Sequence, residues 1–256
     1  MKLLASAVLI LVVALGLSGC YNLGDRRQPI PEWRVPGKAG EGPRVLVVVL
    51  PGRADNTDVM REYGVAQAIQ AGWPEADVVL TGATLAYYLD GRLAQRVHGQ
   101  FIEPARNRGY ETVVLMGASM GGMGTLLVDE AFPEAIDHLV LMAPYLGRKR
   151  VIREVDEAGG VLAWSPGPKP DTVDRGNFDR ELLWRRINLI AADPALKSRV
   201  WLAYGREDRL ARVMPLLEPA LDADQVLVRQ GGHKWVVWNE AATEIFARLK
   251  DRSAAR

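Results

Sequence analysis

The hydrophobic positions of this chain fall into short, nearly unbroken runs that alternate with longer amphipathic stretches. The runs are rich in β-branched residues and most end close to a Gly or Pro, which is typical of strands buried on both faces of a parallel sheet. They predict strands at Val45–Leu50, Asp77–Gly82, Thr112–Gly117, His138–Pro144, Arg199–Gly205 and Gln225–Val228. Helical periodicity in the intervals predicts helices at Thr57–Ala71, Leu85–Asn107, Met120–Phe132, Asp179–Ala192 and Trp238–Leu249. Gly91 and Gly99 are possible breaks within the second of these. This alternation favours an α/β fold, a mostly parallel sheet flanked by helices.

One interval does not follow the alternation. The segment of about residues 147–178 contains the Pro-rich stretch Pro166–Pro170 and is too long for a plain loop in a compact domain. It leaves the carboxyl edge of the sheet, where open α/β sheets bind their ligands. We therefore expect an inserted cap over the site, with Val161, Leu162 and Trp164 on its apolar underside. The alternative is a solvated surface loop.

The N-terminus has the composition of a targeting segment. An apolar run over Leu3–Leu17 follows a positively charged start, and it is short for a membrane span but suited to a signal-peptide core. The run ends in Leu17-Ser18-Gly19-Cys20, which resembles the lipobox of bacterial lipoproteins. The resemblance implies a signal peptide over residues 1–19 and acylation, as by palmitate, of Cys20. An ordinary cleaved signal or an uncleaved anchor is the alternative.

Lipidation at Cys20 would place the protein in the bacterial cell envelope, held to a membrane by several acyl chains. Tyr21 stands where an inner-membrane retention signal usually has Asp, so the resemblance favours the outer membrane. Residues 20–43 are rich in Pro and Gly and lack an apolar period, which predicts a tether.

Composition narrows the function classes. The 256 residues carry a formal net charge of +1 with mixed signs throughout, which gives no electrostatic reason to expect nucleic acid. The single cysteine cannot form an internal disulfide, and the three histidines are too dispersed for a metal cluster. We expect a monomer that needs no cofactor or metal ion.

The third predicted strand runs into Gly117–Gly122, and a predicted helix follows at once. This is the G-x-S-x-G pattern, centred on Ser119. It lies between a predicted strand and a predicted helix, which is the context in which this pattern indicates a nucleophilic serine. The turn is tight, so Gly117 and Gly121 remove side chains that would collide with the strand or the helix. Here the sequence resembles the α/β-hydrolase family, over about residues 45–250. The resemblance implies a hydrolase domain at residues 44–252, with Ser119 as nucleophile.

A serine needs a base at neutral pH. His98 falls within a helical pattern and His138 at a strand start, and both are more simply surface or edge residues. His233 lies in Gly231–Trp235, between the last strand and the last helix. The resemblance implies a catalytic base at this position.

The base needs a carboxylate to orient it. The stretch Gly205-Arg206-Glu207-Asp208 follows the fifth predicted strand, and Asp208 matches the G-x-x-D of the family. Glu207 is the alternative, one residue out of register, whereas Asp174 and Asp179 follow no strand. The serine, aspartate and histidine then occur in the chain order that the fold implies.

Two backbone N–H groups usually stabilise the oxyanion of such reactions. The resemblance implies the Met120 amide, directly after the nucleophile, as one donor. The other should come from the loop after the first strand, where Pro51 has no N–H and the Arg53 amide is the better candidate.

These features predict a serine hydrolase that cleaves carboxylic esters, esterase or lysophospholipase-like, through an acyl-enzyme. Its substrate would be a small-molecule or lipid ester. An acyltransferase of the same fold is an alternative, because the choice between water and an alcohol depends on the pocket. The second alternative is a non-catalytic envelope binding protein that has the same fold.

Overall fold

The computed structural model describes residues 24–40, 42, 44–167 and 181–254. Its described residues form a seven-stranded sheet of order β1-β3-β2-β4-β5-β6-β7, in which β1 is antiparallel to β3 and the other pairs are parallel. The strands are β1 (Glu32–Val35), β2 (Val45–Leu50), β3 (Asp77–Thr81), β4 (Thr112–Ala118), β5 (His138–Met142), β6 (Val200–Gly205) and β7 (Val226–Arg229). The six parallel strands are those that the sequence predicts, with ends that differ by at most two residues.

Helices cover both faces of the sheet. They are α1 (Thr57–Glu62), α2 (Val65–Gly72), α3 (Leu85–Leu89), α4 (Leu93–Val97), α5 (Glu103–Asn107), α6 (Met120–Ala131), α7 (Lys149–Glu157), α8 (Glu181–Ala192), α9 (Pro194–Lys197), α10 (Met214–Leu217) and α11 (Trp235–Ala254). A π-helical turn over His98–Ile102 joins α4 to α5, and 3₁₀ turns cover Ala211–Val213, Glu218–Ala220 and Ala223–Gln225. None of the helices in the described ranges is both long and apolar enough to cross a membrane.

The core consists of two layers separated by the sheet. Alternate side chains of β2 point to opposite faces, since successive strand residues do so. Val47 and Val49 pack with α2 and α11 on one face. Leu46 and Val48 pack with α4, α6 and α8 on the other. Burial on both faces is the physical reason why the strands consist of continuous apolar runs.

Two predicted helices are interrupted at glycines. The segment predicted as Thr57–Ala71 is divided into α1 and α2 at Gly64, whose φ is +68°. The segment predicted as Leu85–Asn107 is divided after α3 at Gly91, whose φ is +71°. A left-handed residue cannot continue a right-handed helix, and glycine adopts it without steric cost.

The N-terminal segment is not a free tether throughout. Within the stretch predicted as a tether, Glu32–Val35 forms the edge strand β1 and Ile30 is 1% exposed in the core. The tether prediction is therefore wrong for these residues. The strand was missed because it has four residues and pairs with β3, which is distant in the chain.

The segment predicted as a cap is described up to residue 167. It begins with α7 (Lys149–Glu157), and Asn188 Nδ2 donates to the carbonyl of the buried Val161 at 2.9 Å. Leu162, expected on the apolar underside, is 60% exposed. Residues 168–180 lie outside the described residues, as do residues 1–23 with the predicted signal peptide and Cys20. The cap and the lipid anchor stay predictions.

Candidate active site

Ser119 occupies a sharp turn between β4 and α6. Its φ of 55° and ψ of −112° lie outside the helical and extended regions, a conformation that costs on the order of 1–3 kcal/mol. Two hydrogen bonds hold it there: the Ser119 N–H donates to the Met142 carbonyl, and the Tyr145 N–H donates to the Ser119 carbonyl, both at 2.8 Å. The end of β5 therefore clamps the serine backbone on both sides.

Glycines make this turn possible. A Cβ on Gly117 would lie 2.2 Å from the carbonyl oxygen of Gly121, and a Cβ on Gly121 would lie 2.2 Å from that of Leu50. A Cβ on Gly122 would meet the ring of Pro144 at 2.8 Å. Each contact is much closer than van der Waals distance, so the start of α6 can approach β2 and β5 only without side chains here.

His233 and Asp208 come together from the loops after β7 and β6, which are neighbouring strands. Nδ1 of His233 lies 2.8 Å from both carboxylate oxygens of Asp208. The Asp208 side chain is 0% exposed and that of His233 is 14% exposed. Asp208 Oδ1 also accepts the Leu210 N–H at 2.8 Å. A carboxylate at Nδ1 keeps the proton on that nitrogen and leaves the Nε2 lone pair available.

The two loops are held in register by backbone contacts. The Glu207 N–H donates to the Gly231 carbonyl at 3.0 Å, and a Cβ on Gly205 would lie 2.1 Å from the same oxygen. This contact directs the Asp208 side chain inward, whereas that of Glu207 is exposed. The structure thus brings Asp208, and not the alternative Glu207, to the histidine.

A polar and aromatic network surrounds the histidine. The rings of His233 and Trp238 meet edge to face at 4.7 Å between centroids, and Trp235 packs against Trp238 in the same way at 5.2 Å. Trp235 Nε1 donates to Asp55 Oδ2 at 2.9 Å. The sequence interpretation did not identify Asp55. The available signal was a polar residue four positions after Pro51, at the carboxyl end of β2.

Ser119 and His233 line the same cavity of about 690 Å³ at the carboxyl edge of the sheet. His233 Nε2 is buried and has no hydrogen-bond partner among the described residues, so the serine hydroxyl does not bond to it in this structure. In unliganded sites such bonds are often long and tighten only with substrate. The arrangement brings a hydroxyl, an oriented imidazole and a buried carboxylate to one cavity.

The predicted oxyanion donors flank the serine. Met120 is the first residue of α6, and it lines a second cavity of about 500 Å³ together with Ser119 and Arg53. Within the described ranges, the backbone N–H groups of Met120 and Arg53 have no hydrogen-bond partner. The positive end of the α6 dipole is at the same place.

The sequence matches no protein-family model and no curated protein. Solved structures are similar to it in fold. A ferulic acid esterase aligns at 18% identity with a TM-score of 0.55, covering 82% of this chain and 86% of its own. The Paleococcus ferrophilus monoacylglycerol lipase aligns at 14% identity with a TM-score of 0.56, and the alignment covers 86% of this chain and 99% of the lipase. Est1E from Butyrivibrio proteoclasticus aligns at 14% identity with a TM-score of 0.56, and the alignment covers 89% of this chain and 95% of Est1E. With its mostly parallel sheet and flanking helices, the chain has the α/β-hydrolase fold.

Proposed function

Because the chain has the α/β-hydrolase fold, we propose that it is a serine hydrolase that cleaves carboxylic esters through an acyl-enzyme. One observation carries the proposal. A strained serine lines the same cavity as a histidine whose Nδ1 is held by a buried carboxylate and whose Nε2 has no partner among the described residues. Similar structures include an esterase and a lipase by name, which agrees with ester chemistry.

In the first half-reaction, Ser119 Oγ attacks the ester carbonyl while His233 Nε2 takes the hydroxyl proton. Asp208 stabilises the imidazolium that forms. The negative charge that develops on the carbonyl oxygen is received by the N–H groups of Met120 and Arg53, each donor being worth about 3 kcal/mol. The intermediate then collapses, His233 returns the proton to the leaving oxygen, and the alcohol departs.

In the second half-reaction, water replaces the alcohol. His233 Nε2 takes a proton from water, whose oxygen attacks the acyl carbon bound to Ser119. Collapse of the second intermediate releases the acid and returns the proton to Ser119. The substrate is a small-molecule or lipid ester, and an esterase or a lysophospholipase would use the same steps.

The test compares Ser119→Ala with Ser165→Ala, which changes an exposed serine outside the cavity. Both are assayed on p-nitrophenyl esters of graded chain length and treated with a fluorophosphonate probe. We expect Ser119→Ala to lower turnover on the order of 10³–10⁶-fold and to abolish the probe adduct, with Ser165→Ala unchanged. An adduct on a residue other than Ser119, or no adduct, would sink the proposal.

We also propose that the mature protein is a lipid-anchored envelope protein, on the outer membrane where the host has one. The support is the lipobox-like Leu17-Ser18-Gly19-Cys20. Cys20→Ser should release an active domain from membranes, because nothing after Leu23 in the sequence has the length and apolarity of a span. Membrane retention of the variant in fractionation would show another mode of attachment.

A further inference from the structure

Four cationic side chains surround Ser119, each from a loop at the carboxyl end of a different strand. Arg53 follows β2, Arg148 follows β5, Arg209 follows β6 and Lys234 follows β7. Arg53, Arg209 and Lys234 line the larger cavity with Ser119, and Arg53, Arg148 and Arg209 line the smaller one. These positions are scattered in the sequence, and only the topology of the sheet brings them together.

The charges of these side chains are not neutralised by the described part of the protein. None of the four forms an ion pair or a side-chain hydrogen bond with a described residue. Elsewhere arginines meet carboxylates, as in Arg106–Asp137 at 2.6 Å and Arg252–Asp224 at 2.7 Å. Among the residues that line the two cavities the acidic side chain is Asp55, which accepts the Trp235 N–H.

This concentration of positive charge does not follow from an overall basic chain. The formal net charge is +1, with 32 Lys and Arg against 31 Asp and Glu. Like charges repel, so four cations gathered around one cleft without counter-ions favour the binding of an anion there. Guanidinium groups bind carboxylate and phosphate through paired N–H donors, a geometry that a neutral ester group does not match.

We infer that the substrate of this site is an anionic ester, with a carboxylate or phosphate a few atoms from the bond that is cleaved, bound between Arg53 and Arg209. These two residues line both cavities and therefore border Ser119 whichever half of the ester carries the charge. Lys234 extends the cationic surface on the His233 side, where the leaving alcohol is protonated. Arg148 extends the cationic surface along the smaller cavity, next to Ser119 and Met120. The inference rests on the proposed ester hydrolysis.

The test uses two matched pairs of esters with the wild-type protein. p-Nitrophenyl hydrogen glutarate against p-nitrophenyl valerate places a carboxylate on the acyl half. Butyrylglycerol 3-phosphate against monobutyrylglycerol places a phosphate on the alcohol half. We expect the anionic member of at least one pair to have a kcat/KM about 10- to 100-fold higher, the range for a charge-assisted hydrogen-bond pair. The pair that shows this preference identifies whether the charge belongs on the acyl half or on the alcohol half of the ester, and whether it is a carboxylate or a phosphate. The preference should shrink as salt rises, because these cations are exposed.

Arg209→Met tests the cation alone, because the Arg209 side chain takes no part in the proton transfers or in the nucleophilic attack. This variant should lose most of the preference for the anionic ester, through a higher KM for that ester. Its kcat/KM for the neutral ester should stay within about twofold of the wild-type value. Arg209→Lys should retain part of the preference. Arg212→Met is the matched control, an exposed arginine nearby that does not line either Ser119 cavity. Calorimetric titration of the Ser119→Ala protein with the same esters gives binding without turnover.

The outcomes separate the two ideas. Hydrolysis of neutral and anionic esters at equal rates, or an equal response of Arg209→Met and Arg212→Met, would overturn the anionic substrate and leave ester hydrolysis intact. Tight binding of an anionic ester by Ser119→Ala with no turnover by the wild type would support the anion site and contradict the proposed hydrolysis.

Discussion

At the scale of the residue, two strained non-glycine residues meet at the candidate site. Ser119 and Ala143 both have positive φ, at 55° and 42°. The backbone hydrogen bonds from Ser119 to Met142 and from Tyr145 to Ser119 join the two turns. Such strain persists only where the surroundings hold it, and it concentrates at functional sites. The serine is thus held by the end of β5 as well as by its own turn.

The histidine–carboxylate pair leads to a prediction that separates neighbouring acids. Asp208→Asn should lower ester turnover by up to ~10⁴-fold, because an amide favours the wrong imidazole tautomer. Glu207→Gln, the matched control, should cost little, because that side chain is exposed away from His233. Steady-state kinetics on one p-nitrophenyl ester measures both. A larger loss of turnover in Glu207→Gln than in Asp208→Asn would show that Glu207, and not Asp208, orients the histidine.

At the scale of the element, helix α6 is fixed at both ends. Its N-terminus approaches β2 and β5 through glycines. Near its C-terminus, Asp129 is 0% exposed and pairs with Arg186 Nε and Arg199 Nη2, both at 2.6 Å. One buried carboxylate therefore joins the helix that follows the nucleophile to α8 and to the start of β6.

Breaking this buried network should be costly. Asp129→Asn leaves two arginines without their counter-charge and should lower the free energy of unfolding by about 3–5 kcal/mol. Asp58→Asn removes the partner of Arg61 from an exposed pair and should cost at most about 1 kcal/mol. Urea denaturation midpoints measure the difference. Equal midpoints for the two variants would mean that the buried network contributes no more than a surface pair.

At the scale of the whole molecule, the N-terminal segment belongs to the domain. Ile30 is buried, and its backbone N–H and carbonyl bond to the side-chain amide of Gln100 at 2.8 and 2.7 Å. The Gly82 N–H donates to the Pro31 carbonyl at 2.6 Å, next to the antiparallel pairing of β1 with β3. The segment closes one edge of the sheet, so a tether can extend only up to these residues.

This packing predicts where the chain can be shortened. A chain that starts at residue 44 loses β1 and the buried Ile30, which alone contributes about 1.5–3 kcal/mol. Its melting temperature should be at least about 3 °C below that of a chain that starts at residue 24, because each kcal/mol shifts the melting temperature of a domain of this size by about 2–4 °C. Thermal denaturation followed by circular dichroism compares them. Identical melting curves would restore the view that all residues before the domain form a tether.

Much of the fold could be predicted because its signals are local. A strand buried on both faces consists of a continuous apolar run, so β2 and β4 were identified from their own residues. The position of β1 and the helix break at Gly64 were not predicted, whereas the break at Gly91 was one of the two possible breaks that the sequence indicated in Leu85–Asn107. A four-residue edge strand depends on a distant partner, and whether a glycine continues or ends a helix depends on the packing around it.

The sequence by itself determined the turn at Ser119, since Gly117 and Gly121 are required by contacts within one strand–turn–helix unit and its nearest strand. It also narrowed the base to His233. Only the tertiary structure decided that Asp208 and not Glu207 meets the imidazole, that Asp55 binds Trp235, and that cations from different loops converge on the serine. The reason is physical: the order of strands in the sheet, set by packing across the whole chain, determines which loop ends become neighbours.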